Sequence, residues 1–205
     1  MQTDEIARIV GEVLRHLESQ GLSLDGPASP ASSQPSGGVV HSSVDSAVKA
    51  AASAQEVFQD LGLEKRREIV RAMRKASVAN AERLAKTAVE ETGMGRSEDK
   101  TQKNLICALR TPGPEDLQAR AFTGDKGLTL VEWGPYGVVG AVTPSTNPVA
   151  TVINNSISIL SAGNAVVFAP HPASVKCATE MMRLLDDAVA AAGGPRGLIN
   201  TVAPA

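Results

Sequence analysis

Two short segments hold the residue types best suited to chemistry: Thr143-Pro144-Ser145-Thr146-Asn147-Pro148 and Pro170-His171-Pro172-Ala173. Hydroxyl and carboxamide donors are packed between prolines in the first, and a histidine is held between prolines in the second. Such a turn, if it leaves a parallel strand and enters a helix, presents free backbone N–H groups at the positive end of a helix dipole, which suits a phosphate or a developing oxyanion. Helix capping by Ser and Thr, with the prolines stiffening the turn, accounts for the same residue types equally well. His171 is placed either at a ligand edge or as an ordinary polar turn residue. Cys107 and Cys177 fall in helical stretches with no evident activating partner, so inert packing is the favoured reading for both. Neither G-x-G-x-x-G nor G-x-x-x-x-G-K-[ST] occurs, so any dinucleotide binds by another arrangement, and no metal ligands are assigned.

The elements that must position these turns follow from the periodicity. Residues 128–133 read as a strand, 137–143 as a buried strand, 149–160 as a helix, 165–169 as a strand, 174–192 as a helix and 198–202 as a strand. That alternation is the signature of an α/β fold with a Rossmann-type parallel sheet, in which ligands gather at the carboxyl ends of strands. Ahead of it, residues 42–113 read as a helical part, with helices over 44–61, 64–91 and 97–109. Ser42 with Asp45 resembles a capping pair for the first. In the second, Ile69, Val70, Met73 and Leu84 supply a buried face while Lys65, Arg66, Arg67, Arg71, Arg74 and Lys75 face water, a solvated surface rather than a basic patch.

Residues 1–20 carry Ile6, Ile9, Val10, Val13, Leu14 and Leu17 at helical spacing, with charged residues opposite, an amphipathic helix. Residues 21–41 are dominated by Ser, Pro, Gly and Ala and read as a flexible linker. A short helix on such a tether awaits a partner. The whole chain of 205 residues is 42% apolar and 20% charged with a net charge of -2, which provides no electrostatic footprint for nucleic acid or anionic lipid. Two cysteines and no hydrophobic signal segment fit a reducing cytosol, and no apolar run reaches the roughly 18 residues of a membrane span.

The runs Glu91-Thr92-Gly93-Met94-Gly95-Arg96, Glu98-Asp99-Lys100, Thr123-Gly124-Asp125, Val142 to Pro148, Val152-Ile153-Asn154-Asn155 and Phe168-Ala169-Pro170-His171-Pro172, in this order, resemble the CoA-acylating aldehyde dehydrogenases of ethanolamine and propanediol microcompartments. The resemblance extends from about Val44 to the last residue. It implies an NAD-dependent oxidation of a short aliphatic aldehyde, acetaldehyde or propionaldehyde, with capture of the acyl group on coenzyme A. In that family a cysteine attacks the aldehyde, the nicotinamide takes the hydride, and the acyl group passes to the CoA thiol. The resemblance further implies that this chain supplies the cofactor half, with Thr143, Pro144 and Ser145 against the cofactor and Thr146 or Asn147 donating to the oxyanion. Relatives that release free acids carry an asparagine where Thr146 stands, so the donor is either of the two. His171, with Pro172, occupies the place of a lysine that in those relatives holds the adenosine ribose.

Neither cysteine matches the family nucleophile, which implies that residues 42–205 form an incomplete dehydrogenase part, inactive alone. Residues 128–132 resemble one arm of a hairpin that family members use for oligomer contacts, implying a homo-oligomer at full length. Residues 1–20 are then expected to be an encapsulation helix for a microcompartment shell protein, placing the enzyme in the lumen of that compartment within the cytoplasm. A different reading makes the chain a catalytically silent passenger that contacts the shell.

Overall fold

The computed structural model describes residues 38–203; the expected helix at 1–20 and most of the expected linker lie outside the described residues. A four-stranded parallel sheet has the order β1-β6-β5-β4, formed by β1 (Val40–His41), β4 (Val138–Thr143), β5 (Ala165–Pro170) and β6 (Ile199–Val202). The crossover from β4 to β5 is α4 (Pro148–Ser161), and that from β5 to β6 is α5 (Val175–Ala191). On the other face, α1 (Val44–Gln59) lies against β5 and β6. The long α2 (Leu63–Thr92) packs on α3 (Ser97–Arg110), α4 and α5. The core between these layers is apolar and closed, centred on Phe58, Ile69, Met73, Ile153, Phe168, Met181 and Leu185.

The expected α/β alternation is present, with element ends shifted by a residue or two. Four findings differ from the sequence reading. Ser43, not Ser42, caps α1: its hydroxyl accepts from Ser46 N while the Ser46 hydroxyl accepts from Ser43 N, because a reciprocal box needs the cap and the third helical residue. Val40–His41, inside the span read as linker, pair with Thr201 and Val202. Residues 128–133 do not form a lone strand. β3 (Gly127–Val131) is the second arm of an antiparallel hairpin whose first arm is β2 (Arg120–Gly124), with Asp125-Lys126 as the two-residue turn.

The last difference concerns the basic face of α2. Lys65 and Arg67 do form exposed pairs with Glu68 and Glu64. Arg66 and Arg74 turn inward instead. Arg66 lies over the Phe58 ring and against Gly163, where any side chain would meet its guanidinium, and burial lowers its pKa. Arg74 donates to the Ala108 and Thr111 carbonyls at 2.8 and 2.6 Å, which satisfies the end of α3. Among the described residues no helix is long and apolar enough to cross a membrane.

Candidate active site at the carboxyl ends of two strands

Strand register places both sequence-predicted turns side by side. Thr143, the last residue of β4, is opposite Pro170, the last of β5, and His171 N donates to the Thr143 carbonyl at 3.2 Å. The turn 144–147 and the turn at His171 therefore leave adjacent parallel strands at one end of the sheet, the end at which open α/β sheets bind ligands. Beside them Val142 is 83% exposed, and its register partner Ala169 is exposed too. The two form a small apolar platform at the strand ends.

Within the first turn the side chains divide. Thr143 is 1% exposed and its hydroxyl has no hydrogen-bond partner, so it lies beneath the turn rather than at its surface. Pro144 and Thr146 are exposed, and Ser145 and Asn147 half-buried. Asn147 is the N-cap residue of α4, with Pro148 at the first helical position, yet no side chain caps the helix. The hydroxyls of the turn are thus not spent as caps, and the first N–H groups of α4 lack side-chain acceptors. This favours the ligand-facing reading of the turn over the capping one.

In the second turn, His171 is exposed and its Nδ1 accepts from Ala173 N at 3.2 Å, shaping the single helical turn Pro172–Ser174. With Nδ1 occupied as an acceptor, Nε2 carries the proton and is the outward donor. Pro172 is exposed beside it. Both prolines fix the backbone of this segment without contributing a donor.

Three residues that the sequence reading did not assign to the site shape it from α2 and α3. Lys100 Nζ donates to the Thr146 carbonyl at 2.6 Å, and Lys103 Nζ to Asn147 Oδ1 at 3.2 Å. Burial lowers the Lys100 pKa, and the nearby Lys103 charge adds to this. An open cleft of about 220 Å³ runs along this edge, bordered by Gly95, Arg96, Lys100, Lys103, Thr146 and Asn147. Glu91, at the end of α2, accepts from Lys176 N and Cys177 N at 2.7 and 2.8 Å, closing the N-terminus of α5 just beyond the His171 turn. The Lys100–Lys103 spacing of three on one helix face was available in the sequence, but what the face meets was not. Glu91 stands in a run that carries the family resemblance, but its partners, 85 and 86 residues away, could not be read from the sequence.

Neither cysteine is equipped for nucleophilic work. Burial, reinforced by the Glu91 carboxylate, pushes the Cys177 thiol up to about 12, and burial raises Cys107. A thiol so shifted is protonated at neutral pH.

A profile of the aldehyde dehydrogenase family matches residues 29–205. The acetaldehyde dehydrogenase (acetylating) EutE of Salmonella typhimurium is 47% identical over 203 residues, covering 99% of this chain and 41% of the relative. Among solved structures, a propionaldehyde dehydrogenase from the Clostridium phytofermentans fucose utilisation bacterial microcompartment superposes with a TM-score of 0.79 at 44% identity, over 81% of this chain and 38% of that one. A Rhodopseudomonas palustris propionaldehyde dehydrogenase with bound CoA and an acylated cysteine gives a TM-score of 0.78 at 44% identity, over 80% of this chain and 38% of that one. The chain spans about two fifths of the length of the curated relative it matches.

Proposed function

Because the chain belongs to the aldehyde dehydrogenase family, we propose that it forms the cofactor-binding part of an NAD-dependent, CoA-acylating dehydrogenase for a short aldehyde, acetaldehyde or propionaldehyde. The observation that carries this reading is the juxtaposition of the two proline-bounded turns at the strand ends, with the α4 terminus left open to a ligand. The names of similar proteins, an acetylating dehydrogenase for acetaldehyde and a CoA-propanoylating one for propanal, supply the chemical class.

The residues present fit a dinucleotide. The exposed Val142 and Ala169 offer an apolar platform for a planar ring, the uncapped N–H groups of α4 suit a phosphate, and His171 Nε2 is an outward donor for a ribose hydroxyl. Pro144, Ser145 and Pro172 border the same surface, and Thr143 supports it from beneath. Bound NAD supplies the two-electron acceptor for aldehyde oxidation, and coenzyme A accepts the acyl group. The part of this chain in the chemistry is then positional and electrostatic. Asn147 Nδ2, or the Thr146 hydroxyl, donates to the oxyanion that develops as a thiolate adds to the aldehyde carbonyl. That thiolate is assigned to neither Cys107 nor Cys177, whose environments hold the proton.

The test is the acylating reaction of the enzyme that carries this segment, followed as acyl-CoA and NADH formation. Asn147→Ala is expected to lower kcat about 100-fold with little change in KM for NAD, the ordinary loss for one oxyanion donor. A normal kcat in Asn147→Ala with the large loss in Thr146→Ala assigns the role to Thr146. Normal turnover in both variants removes this turn from the chemistry and overturns the reading.

A further inference from the structure

Lys100 and Lys103 project from one face of α3, three residues apart, and both end on the turn between β4 and α4. Neither forms an ion pair among the described residues. Lys100 is only 6% exposed, and removing an ammonium from water without a counter-charge is costly, so its place needs a compensating contact. That contact is a short, charge-assisted hydrogen bond to a turn carbonyl.

The consequence falls on Asn147. Its backbone, at φ -140 and ψ 55, is neither helical nor fully extended, a conformation that neighbouring contacts must hold. Its carboxamide has one acceptor end and one donor end. An ammonium can only donate, so Lys103 requires Oδ1 on its own side and thereby turns Nδ2 away from α3. Nδ2 has only a long 3.5 Å contact with the Thr146 hydroxyl, which leaves its hydrogens available.

We propose that Lys100, together with Lys103, is a positioning residue: Lys100 fixes the Thr146 carbonyl and thus the path of the turn, and Lys103 fixes which end of the Asn147 carboxamide faces the reacting centre. The inference rests on the reading of the turn as the oxyanion loop, and deepens it by naming what holds the donor in place. Without these lysines the carboxamide could present its oxygen to a developing negative charge, which would repel rather than stabilise it.

The experiment uses the 205-residue chain without cofactor or substrate, so its outcome is independent of whether the proposed activity is found. Hydrogen exchange at residues 144–152 is compared in the wild type, Lys100→Met and Lys100→Gln, two uncharged side chains of similar length of which only the second can donate. Lys100→Met is expected to speed exchange in this segment about tenfold, the scale of one lost charge-assisted hydrogen bond, while β5 and α5 stay as in the wild type. Lys100→Gln is expected to restore most of the protection. Wild-type exchange in Lys100→Met, equal loosening across β5 and α5, or no difference between Met and Gln would overturn the proposal. Should Lys100→Met not fold, the exposed Lys103→Met carries the test: the Asn147 side-chain NH2 resonances should shift and average relative to the wild type, and unchanged resonances would refute the positioning role.

Discussion

At the level of single residues, what the sequence made legible was chemical type, and what it hid was direction. The turn 143–148 could be singled out because hydroxyls, a carboxamide and two prolines cluster there, but its two readings differ only in where the hydroxyls point. The absence of a side-chain cap on α4 removes the capping reading and is the support for the ligand-facing one. The burial of Thr143 beside exposed Val142 follows from the strand pleat, which sends alternate side chains to opposite faces. Cys177 is fully buried in the core, and its environment yields a quantitative expectation. Its thiol is held at about 12, above its ordinary value of 9.0, by burial and by Glu91. A group whose pKa is raised on folding contributes stability that is complete below the unfolded value and is lost as pH climbs through the folded one. The folded chain should therefore lose stability between about pH 9 and 12, and part of that loss should vanish in Cys177→Ala. Alkylation by iodoacetamide at pH 8, read by peptide mass, should leave Cys177 unmodified in the folded chain and label it fully in denaturant. Ready labelling of the folded chain would mean a reactive thiol and would reopen its role.

At the level of elements, periodicity located every α-helix among the described residues, because each buries one stripe. It found β3 but missed β2, the first arm of the hairpin, for a physical reason. All ten strand residues of the hairpin are exposed, so β2 shows no buried face to read, and only the Gly-bounded turn Asp125-Lys126 betrays it. An isolated two-stranded hairpin is marginal in water. This one displays Phe122, Leu128, Leu130 and Val131 to solvent, followed by Trp133. A second copy of the chain is the expected cover, in keeping with the homo-oligomer implied by the family resemblance. Sedimentation of the chain at micromolar concentration should then show a dimer or larger species, and Leu128→Asp with Leu130→Asp should convert it to monomer without changing helix content. The emission of Trp133, the single tryptophan, should shift to the red in the same variant. A monomeric wild type would refute this use of the hairpin.

At the level of the whole molecule, the α/β alternation was legible while the edge of the sheet was not. β1 is two residues long, arises in a Ser/Gly-rich stretch, and pairs with β6 some 160 positions later, a contact no local pattern can announce. It is the first element among the described residues, and Val39 just before it is buried. Residues 1–20 precede it and lie outside the described residues, so their role rests on sequence pattern alone. Six apolar residues on a 3.6-residue period give a stripe fit for a groove on a partner, through anchors at i, i+3, i+4 and i+7. A membrane surface is a poorer partner, because Asp4, Glu5, Glu12 and Glu18 oppose Arg8 and Arg15 and no aromatic residue anchors the stripe. We propose that this segment attaches the enzyme to a microcompartment shell protein and leaves its chemistry untouched. The decisive comparison fuses residues 1–20 to a fluorescent reporter in cells making the cognate shell, beside a fusion carrying Ile9→Asp and Val13→Asp. Two charges in the stripe should abolish docking, since each replaces an aliphatic side chain with a group that must stay hydrated. The unaltered fusion should collect in shells and the altered one remain diffuse; equal distribution of both would exclude the stripe as the docking surface.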